Sequence, residues 1–176
     1  MSRASRGLAA AALLLSACAA PRLALQDVQF ELAGRLAASY RNEAFTGNLA
    51  WRHARDGDEL LISTPLGQGI ARIVRQGNVV TLTTPDGEQS ADDAESLTEQ
   101  TLGFRLPLAG LADWVRARPS PEGPPALADH GPDGKLARLQ QSGWDIAYQE
   151  YAGALPSRMR LTYPGIELRL AISEWK

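Results

Sequence analysis

The chain has 176 residues, 44% of them apolar and 22% charged, with a formal net charge of -2 and an isoelectric point near 5.7. That length buries a sizeable core as about one domain without staples, and a single cysteine leaves no internal disulfide to provide any. The charges are interspersed, without the basic footprint that nucleic acid demands, so a nucleic-acid partner is excluded.

At the start, Arg3 and Arg6 precede an apolar stretch over residues 8–15, and no acidic residue appears before Asp27. This is the layout of an export signal. A spanning helix needs about 20 apolar residues, and Pro21 and Arg22 interrupt too early for one. The run Leu15-Ser16-Ala17-Cys18 resembles the lipobox of bacterial lipoproteins, in which the cysteine thiol receives a diacylglycerol and the freed amine a further chain. The resemblance implies a signal peptide over 1–17, lipid attachment at Cys18, an acylated tether over 18–29 and a folded body over 30–176. Two or more chains hold a protein firmly to a bilayer, whereas one does so only marginally. In such anchors an aspartate after the cysteine usually retains the protein in the inner membrane. Ala19 and Ala20 stand there instead, so the implied address is the periplasmic face of the outer membrane.

Beyond the tether, apolar residues recur at every second position. Phe30, Leu32, Gly34, Leu36 and Ala38 make one row, and Phe45, Gly47, Leu49 and Trp51 another, each with polar neighbours on the opposite face. Both predict half-buried strands. Further strands are predicted over residues 60–63, 70–74 and 79–84, separated by the turn signals Asp56-Gly57, Pro65-Leu66-Gly67 and Gln76-Gly77-Asn78 and closed by Pro85-Asp86-Gly87. Short strands joined by short turns make an antiparallel meander.

The middle changes character. Asp92-Asp93 caps a predicted helix running to Leu102, with Ala94, Leu97 and Thr101 on one face and Gly103 as the stop. Pro107 opens a second helix, whose stripe is Leu108, Leu111, Trp114 and Val115. Residues 118–135 are rich in Pro and Gly without periodicity, which predicts an exposed loop. Alternation then returns: Trp144, Ile146 and Tyr148; Met159, Leu161 and Tyr163; and, after Pro164-Gly165, Ile166, Leu168, Leu170 and Ile172. The predicted fold class is mainly β with a helical insert (α+β). It is a curved, mostly antiparallel sheet with the helical insert laid on it, whose apolar concave face holds either packed side chains or a ligand cavity.

Taken in order, several motifs carry a specific resemblance. Gly34-Arg35-Leu36, Phe45-x-Gly47 with Trp51, Ser63-x-Pro65-Leu66-Gly67, residues 91–95 (Ala-Asp-Asp-Ala-Glu), Leu102-Gly103 and Leu106-Pro107-Leu108 with Trp114 resemble the LolB family of outer-membrane lipoprotein receptors. Gly143-Trp144-x-Ile146 with Tyr148, Leu155-Pro156 and Trp175 extend the likeness over residues 30–175. The resemblance implies an incomplete antiparallel β-barrel covered by short helices and enclosing an apolar cavity, in a monomeric receptor, without cofactor or metal, that accepts lipoproteins from the periplasmic carrier LolA and releases them into the outer membrane. It implies that Leu66 assists membrane insertion, whereas the turn alone leaves open whether Leu66 is exposed or folded back into the core. Candidate lining residues for acyl chains are Leu36, Leu49, Trp51, Trp114, Ile146, Tyr148, Met159, Leu161, Leu168 and Leu170. For each, plain core packing is the competing reading.

Other classes have little to stand on. His53 and His130 are the only histidines, far apart and without ligand-spaced neighbours, and both read as surface residues. There is no Gly-x-Ser-x-Gly elbow and no phosphate-cradling glycine loop, and the acidic residues at Asp92, Asp93 and Glu95 read as helix capping, so no enzyme is expected. The alternative function is an outer-membrane sensor or scaffold that binds lipid or protein without passing it on.

Overall fold

A computed structural model describes residues 23–41 and 43–176. Cys18, the signal and the first part of the tether lie outside the described residues. Eleven strands form one antiparallel sheet among the described residues: β1 (Val28–Tyr40), β2 (Glu43–Ala54), β3 (Gly57–Ser63), β4 (Gly69–Gln76), β5 (Val79–Thr84), β6 (Gly87–Ala91), β7 (Leu127–His130), β8 (Leu136–Gln141), β9 (Trp144–Ala152), β10 (Leu155–Tyr163) and β11 (Ile166–Trp175). The strand order is β6-β5-β4-β3-β2-β1-β11-β10-β9-β8-β7, so the first and last strands pair at the centre and the sheet stays open at β6 and β7. Two short helices, α1 (Ala94–Leu102) and α2 (Leu108–Trp114), interrupt the meander between its two halves.

Alternation decides which face is buried. On the inner face, cross-strand partners form apolar rows: Leu32, Trp51, Leu60, Ile73 and Leu82 across β1 to β5, and Leu36, Leu170, Met159 and Tyr148 across β1, β11, β10 and β9. A third row joins Ala38, Leu168, Leu161, Ile146 and Leu139. Leu97 of α1 and Leu108, Leu111 and Trp114 of α2 close over these rows into one core. Two glycines permit the curvature. A Cβ at Gly34, beside a β-bulge, would lie 2.2 Å from the Ala171 carbonyl oxygen, and one at Gly47 would lie 2.7 Å from that of Ser63. Only glycine lets the strands approach so closely at the bend.

Helix α1 starts and stops for the predicted reasons, whereas Pro107 stands just before α2 in a non-helical conformation rather than as its first residue. The Asp93 side chain accepts from the Glu95 and Ser96 N–H groups, and Gly103 ends α1 in the left-handed conformation at φ 79°. Hydrogen bonds from Ser96 hold the Asp93 carboxyl below its ordinary range. The α2 stripe is buried at Leu108, Leu111, Trp114 and Val115, and Gly110 gives room to the Trp114 indole.

Three strands correct the sequence reading. Residues 127–130 are not loop but β7, β8 follows it, and β6 continues beyond the turn at Pro85-Asp86-Gly87. β6 and β7 are edge strands with almost no buried side chain, so they show no alternation. In β8 the alternation breaks because Leu136 pairs with His130 and Arg138 with Asp129, leaving Ala137 as an extra residue.

Candidate functional site

The ten apolar candidates are brought together on one surface. Leu36, Leu49, Trp51, Ile146, Tyr148, Met159, Leu161, Leu168 and Leu170 all point inward from the sheet, Trp114 faces them from α2, and all ten are buried in a single cluster. Helix α2 is bolted down there. Trp114 Nε1 donates to Gln141 Oε1 at 2.8 Å, and the Tyr148 hydroxyl donates to the Trp114 carbonyl at 2.9 Å. Burial raises the Tyr148 phenol far above its ordinary pKa and keeps that donor un-ionised. Gln141 also pins the Pro-rich segment: Oε1 accepts from the Ser120 N–H, and Nε2 donates to the Ser120 and Pro124 carbonyls. Four bonds on one buried amide tie lid, loop and sheet together. No spacing in the sequence singles out Gln141, because a glutamine at the end of a strand reads as solvent-facing.

The end of the barrel at the β2–β3 turn is closed by ionic bonds. His53 is buried rather than on the surface, with Nδ1 2.7 Å from Asp58 Oδ1. Trp51 Nε1 donates to the same oxygen at 2.8 Å, and Arg75 Nε donates to Asp58 Oδ2 at 2.6 Å. Asp58 is 2% exposed, so this carboxylate is satisfied wholly by protein groups. Its position two residues before Leu60, in the inward phase of β3, was the available signal. Among the described residues no group of three or more His, Cys, Asp and Glu could hold a metal ion.

At the other end of β3 the arrangement inverts. The Gly67 N–H donates to the Thr64 carbonyl at 2.9 Å, the Thr64 N–H donates to the Gln68 carbonyl at 2.8 Å, and the Asn48 amide donates to the Thr64 carbonyl at 3.1 Å. Gly67 takes φ 87°, which a side chain would resist. This bonded turn holds Leu66 98% exposed. Beside it lies a mostly apolar cleft of 690 Å³ bordered by Leu49, Ile62, Gly67, Ile70 and Pro85, and a second of 470 Å³ bordered by Ile70, Leu82, Pro85 and Leu102. Leu49, Ile62 and Leu82 are buried members of the core cluster, so both clefts border the core at the Leu66 end. No described helix is long and apolar enough to cross a membrane.

Comparison with known proteins places this architecture. The family model described as outer membrane lipoprotein LolB matches residues 28–175. The outer-membrane lipoprotein LolB of Thiobacillus denitrificans is 42% identical over 147 residues, covering 82% of this chain and 78% of its own, and that of Chromobacterium violaceum is 35% identical over 176 residues, covering 94% of each. Among solved structures, a LolA superfamily protein from Nitrosomonas europaea aligns with a TM-score of 0.51 at 10% identity, covering 86% of both chains. A DUF1329 family protein from Desulfovibrio piger aligns at 0.50 and 9% identity over 84% of both. These two likenesses are of fold alone. Matched over nearly all of its folded body, this chain belongs to the LolB family of outer membrane lipoproteins.

Proposed function

We propose that this protein is a monomeric receptor, anchored to the periplasmic face of the outer membrane through Cys18, that takes lipoproteins from the carrier LolA and delivers them to the bilayer. An acyl chain carries about 0.8 kcal/mol of hydrophobic free energy per methylene, on the order of 10 kcal/mol in all, so it cannot diffuse free through water. Transfer runs from one apolar site to another by contact. No covalent step is required. In this reading the inward residues Leu36, Leu49, Trp51, Ile146, Tyr148, Met159, Leu161, Leu168 and Leu170, with Trp114 on the lid, meet the chains as α2 swings off the inner face. The clefts beside Leu66 are the way in and out.

The observation that carries this reading is Leu66, a wholly exposed leucine on a hydrogen-bonded turn beside a mostly apolar cleft that borders the core residues Leu49 and Ile62. Leaving such a side chain in water forgoes about 2 kcal/mol that burial in a bilayer regains. The test uses the mature chain with Cys18→Ala, mixed with carrier loaded with an acylated lipoprotein. The soluble variant is expected to strip the carrier and, on adding liposomes, to deposit the cargo. Leu66→Glu is expected to preserve stripping and impair deposition. A carrier that stays loaded would instead identify a sensor or scaffold.

A further inference from the structure

The outer face of the sheet carries a charge pattern to which neither Leu66 nor the inner cluster gives a role. Between the bend at Gly34 and the β10–β11 turn, the outward charges are Arg35 on β1, Arg169 and Glu167 on β11, and Arg158 and Arg160 on β10, each alternating with buried residues of the inner face. Arg160 and Arg169 are direct register partners, and Ala171 alone separates Arg35 from Arg158 across the strands. Like charges directly opposite on one face of an antiparallel pair, with Cβ atoms about 5 Å apart, destabilise the sheet. The whole chain carries a net charge of -2, yet these guanidiniums are gathered on three adjacent strands. Such a local cost without a return inside the fold points to a use outside it.

Carboxylates answer only part of this charge. Arg169 is paired with Glu167 beside it on β11, and Arg158 Nη1 lies 2.9 Å from Glu150 Oε1 on β9. Among the described residues, neither the Arg35 nor the Arg160 side chain has a hydrogen-bond or ion-pair partner, and both are exposed. The other charges on this face are already engaged: Arg138 with Asp145, and, toward the opposite end, Glu31 with Arg52 and Glu174 with Lys176. Ala37, Ala147 and Ala171 are the register neighbours of the arginines, and none of the clefts at the two ends of the barrel borders these guanidiniums. The patch is therefore an array over a floor of methyl groups rather than a pocket. Register also fixes its place. Arg35 faces Asn48, and Asn48 faces Ser63, the last residue of β3 before the Leu66 turn. Arg169 faces Ala37, two residues farther in the same direction.

We propose that this patch is a second bilayer contact, in which Arg35, Arg158, Arg160 and Arg169 bind the phosphates of anionic lipid headgroups while Leu66 enters the acyl region. The inference rests on the reading of the protein as one that delivers cargo to a bilayer. A guanidinium meets a phosphate through paired N–H groups, and phosphates spread over a headgroup plane answer several arginines at once, as an array without a pocket requires. Headgroup charge also relieves the repulsion between Arg160 and Arg169, so a pattern that costs stability in water gains it at the membrane. A single leucine gives depth without orientation. An arginine patch on one side of the barrel leans the body so that β1, β11 and β10 face the lipid.

The experiment sediments the mature chain with Cys18→Ala, so that no lipid anchor contributes, with vesicles of phosphatidylcholine alone or mixed with phosphatidylglycerol. This parent chain is expected to bind the phosphatidylglycerol vesicles at least about tenfold more tightly, and high salt is expected to erase the difference. Arg35→Gln with Arg160→Gln is expected to weaken that binding by about fivefold for each guanidinium removed and to leave binding to phosphatidylcholine unchanged. Because these two side chains hold nothing in the fold, the double variant is expected to unfold in urea at the parent's midpoint. Equal binding of parent and double variant to phosphatidylglycerol vesicles would overturn the proposal. So would retention on an immobilised acidic protein without binding to vesicles, which would mark a protein partner instead. A nitroxide at Thr162→Cys, opposite Glu167 and exposed on β10, tests the same face with every arginine in place. Phosphatidylglycerol vesicles are expected to hide it from a water-borne relaxation agent, and undiminished access would overturn the seating. Failure of the receptor reading shows elsewhere, in a carrier that stays loaded, and leaves this comparison of vesicles intact.

Discussion

The two ends of β3 are built on opposite principles. At the β2–β3 turn, Asp58 gathers Trp51, His53 and Arg75 into a buried polar lock. At the β3–β4 turn, backbone bonds hold Leu66 in solvent, and the larger of the two flanking clefts is mostly apolar. Helix α1 spans the same contrast: its capped start borders a polar cleft with His53, Asp58 and Arg75, and its last turn borders the cleft with Ile70 and Pro85. One end is fastened by charge that a membrane would reject, while the other offers surface that only a membrane or an apolar partner stabilises. The difference gives the molecule a direction.

The contrast is most easily broken at the lock. Asp58→Ala leaves a buried indole N–H, a histidine and an arginine without their acceptor, and is expected to lower unfolding free energy by about 3 kcal/mol in urea denaturation. A loss well under 1 kcal/mol would mean that the polar end fastens nothing. Next comes the lid. Gln141→Leu removes four hydrogen bonds at once and is expected to cost about 2 kcal/mol, with hydrogen exchange rising in α2 and around Ser120 before the sheet opens. Unchanged protection there would show that α2 is held by packing alone.

A smaller effect belongs to the helix cap. Asp93→Ala is expected to cost about 1 kcal/mol at neutral pH. Because the Asp93 carboxyl is depressed in the folded state, its contribution is complete above the ordinary carboxylate pKa and fades as pH falls through the lower folded value. The gap between wild type and variant should therefore close in acid; a gap that widened would contradict the capping role. The smallest change in stability is expected for Leu66→Glu, within about 0.5 kcal/mol, since that side chain touches so little of the fold. A large loss of stability there would mean that the leucine packs at home and that its exposure is not its purpose.

Much of the architecture was legible in the residues. Strict alternation around Leu32 and Leu36, Leu49 and Trp51, and Leu168 and Leu170 marks strands with one buried face, because a period of two admits no other packing. Asp93 and Gly103 bound α1 through local hydrogen bonds that need no tertiary partner. Edge strands are a different matter. β6 and β7 bury almost nothing, so their pairing follows from a neighbour that happens to offer an unpaired edge, and the bulge at Ala137 hides β8 from any periodic pattern.

For the site, the pattern of residues settled which side chains turn inward, since facing is a local property of the strand. It left open where Leu66 would go and what holds the lid, and it put the buried His53 on the surface. Those answers depend on groups distant in the chain. Gln141 reaches back to Trp114 and Ser120, and Asp58 finds Arg75 on the next strand. Even the bend of the sheet at Gly34 is set by how closely β11, more than a hundred residues later, comes to lie against it. Period and capping are written in neighbours along the chain, whereas polar satisfaction and curvature exist only once remote strands have met.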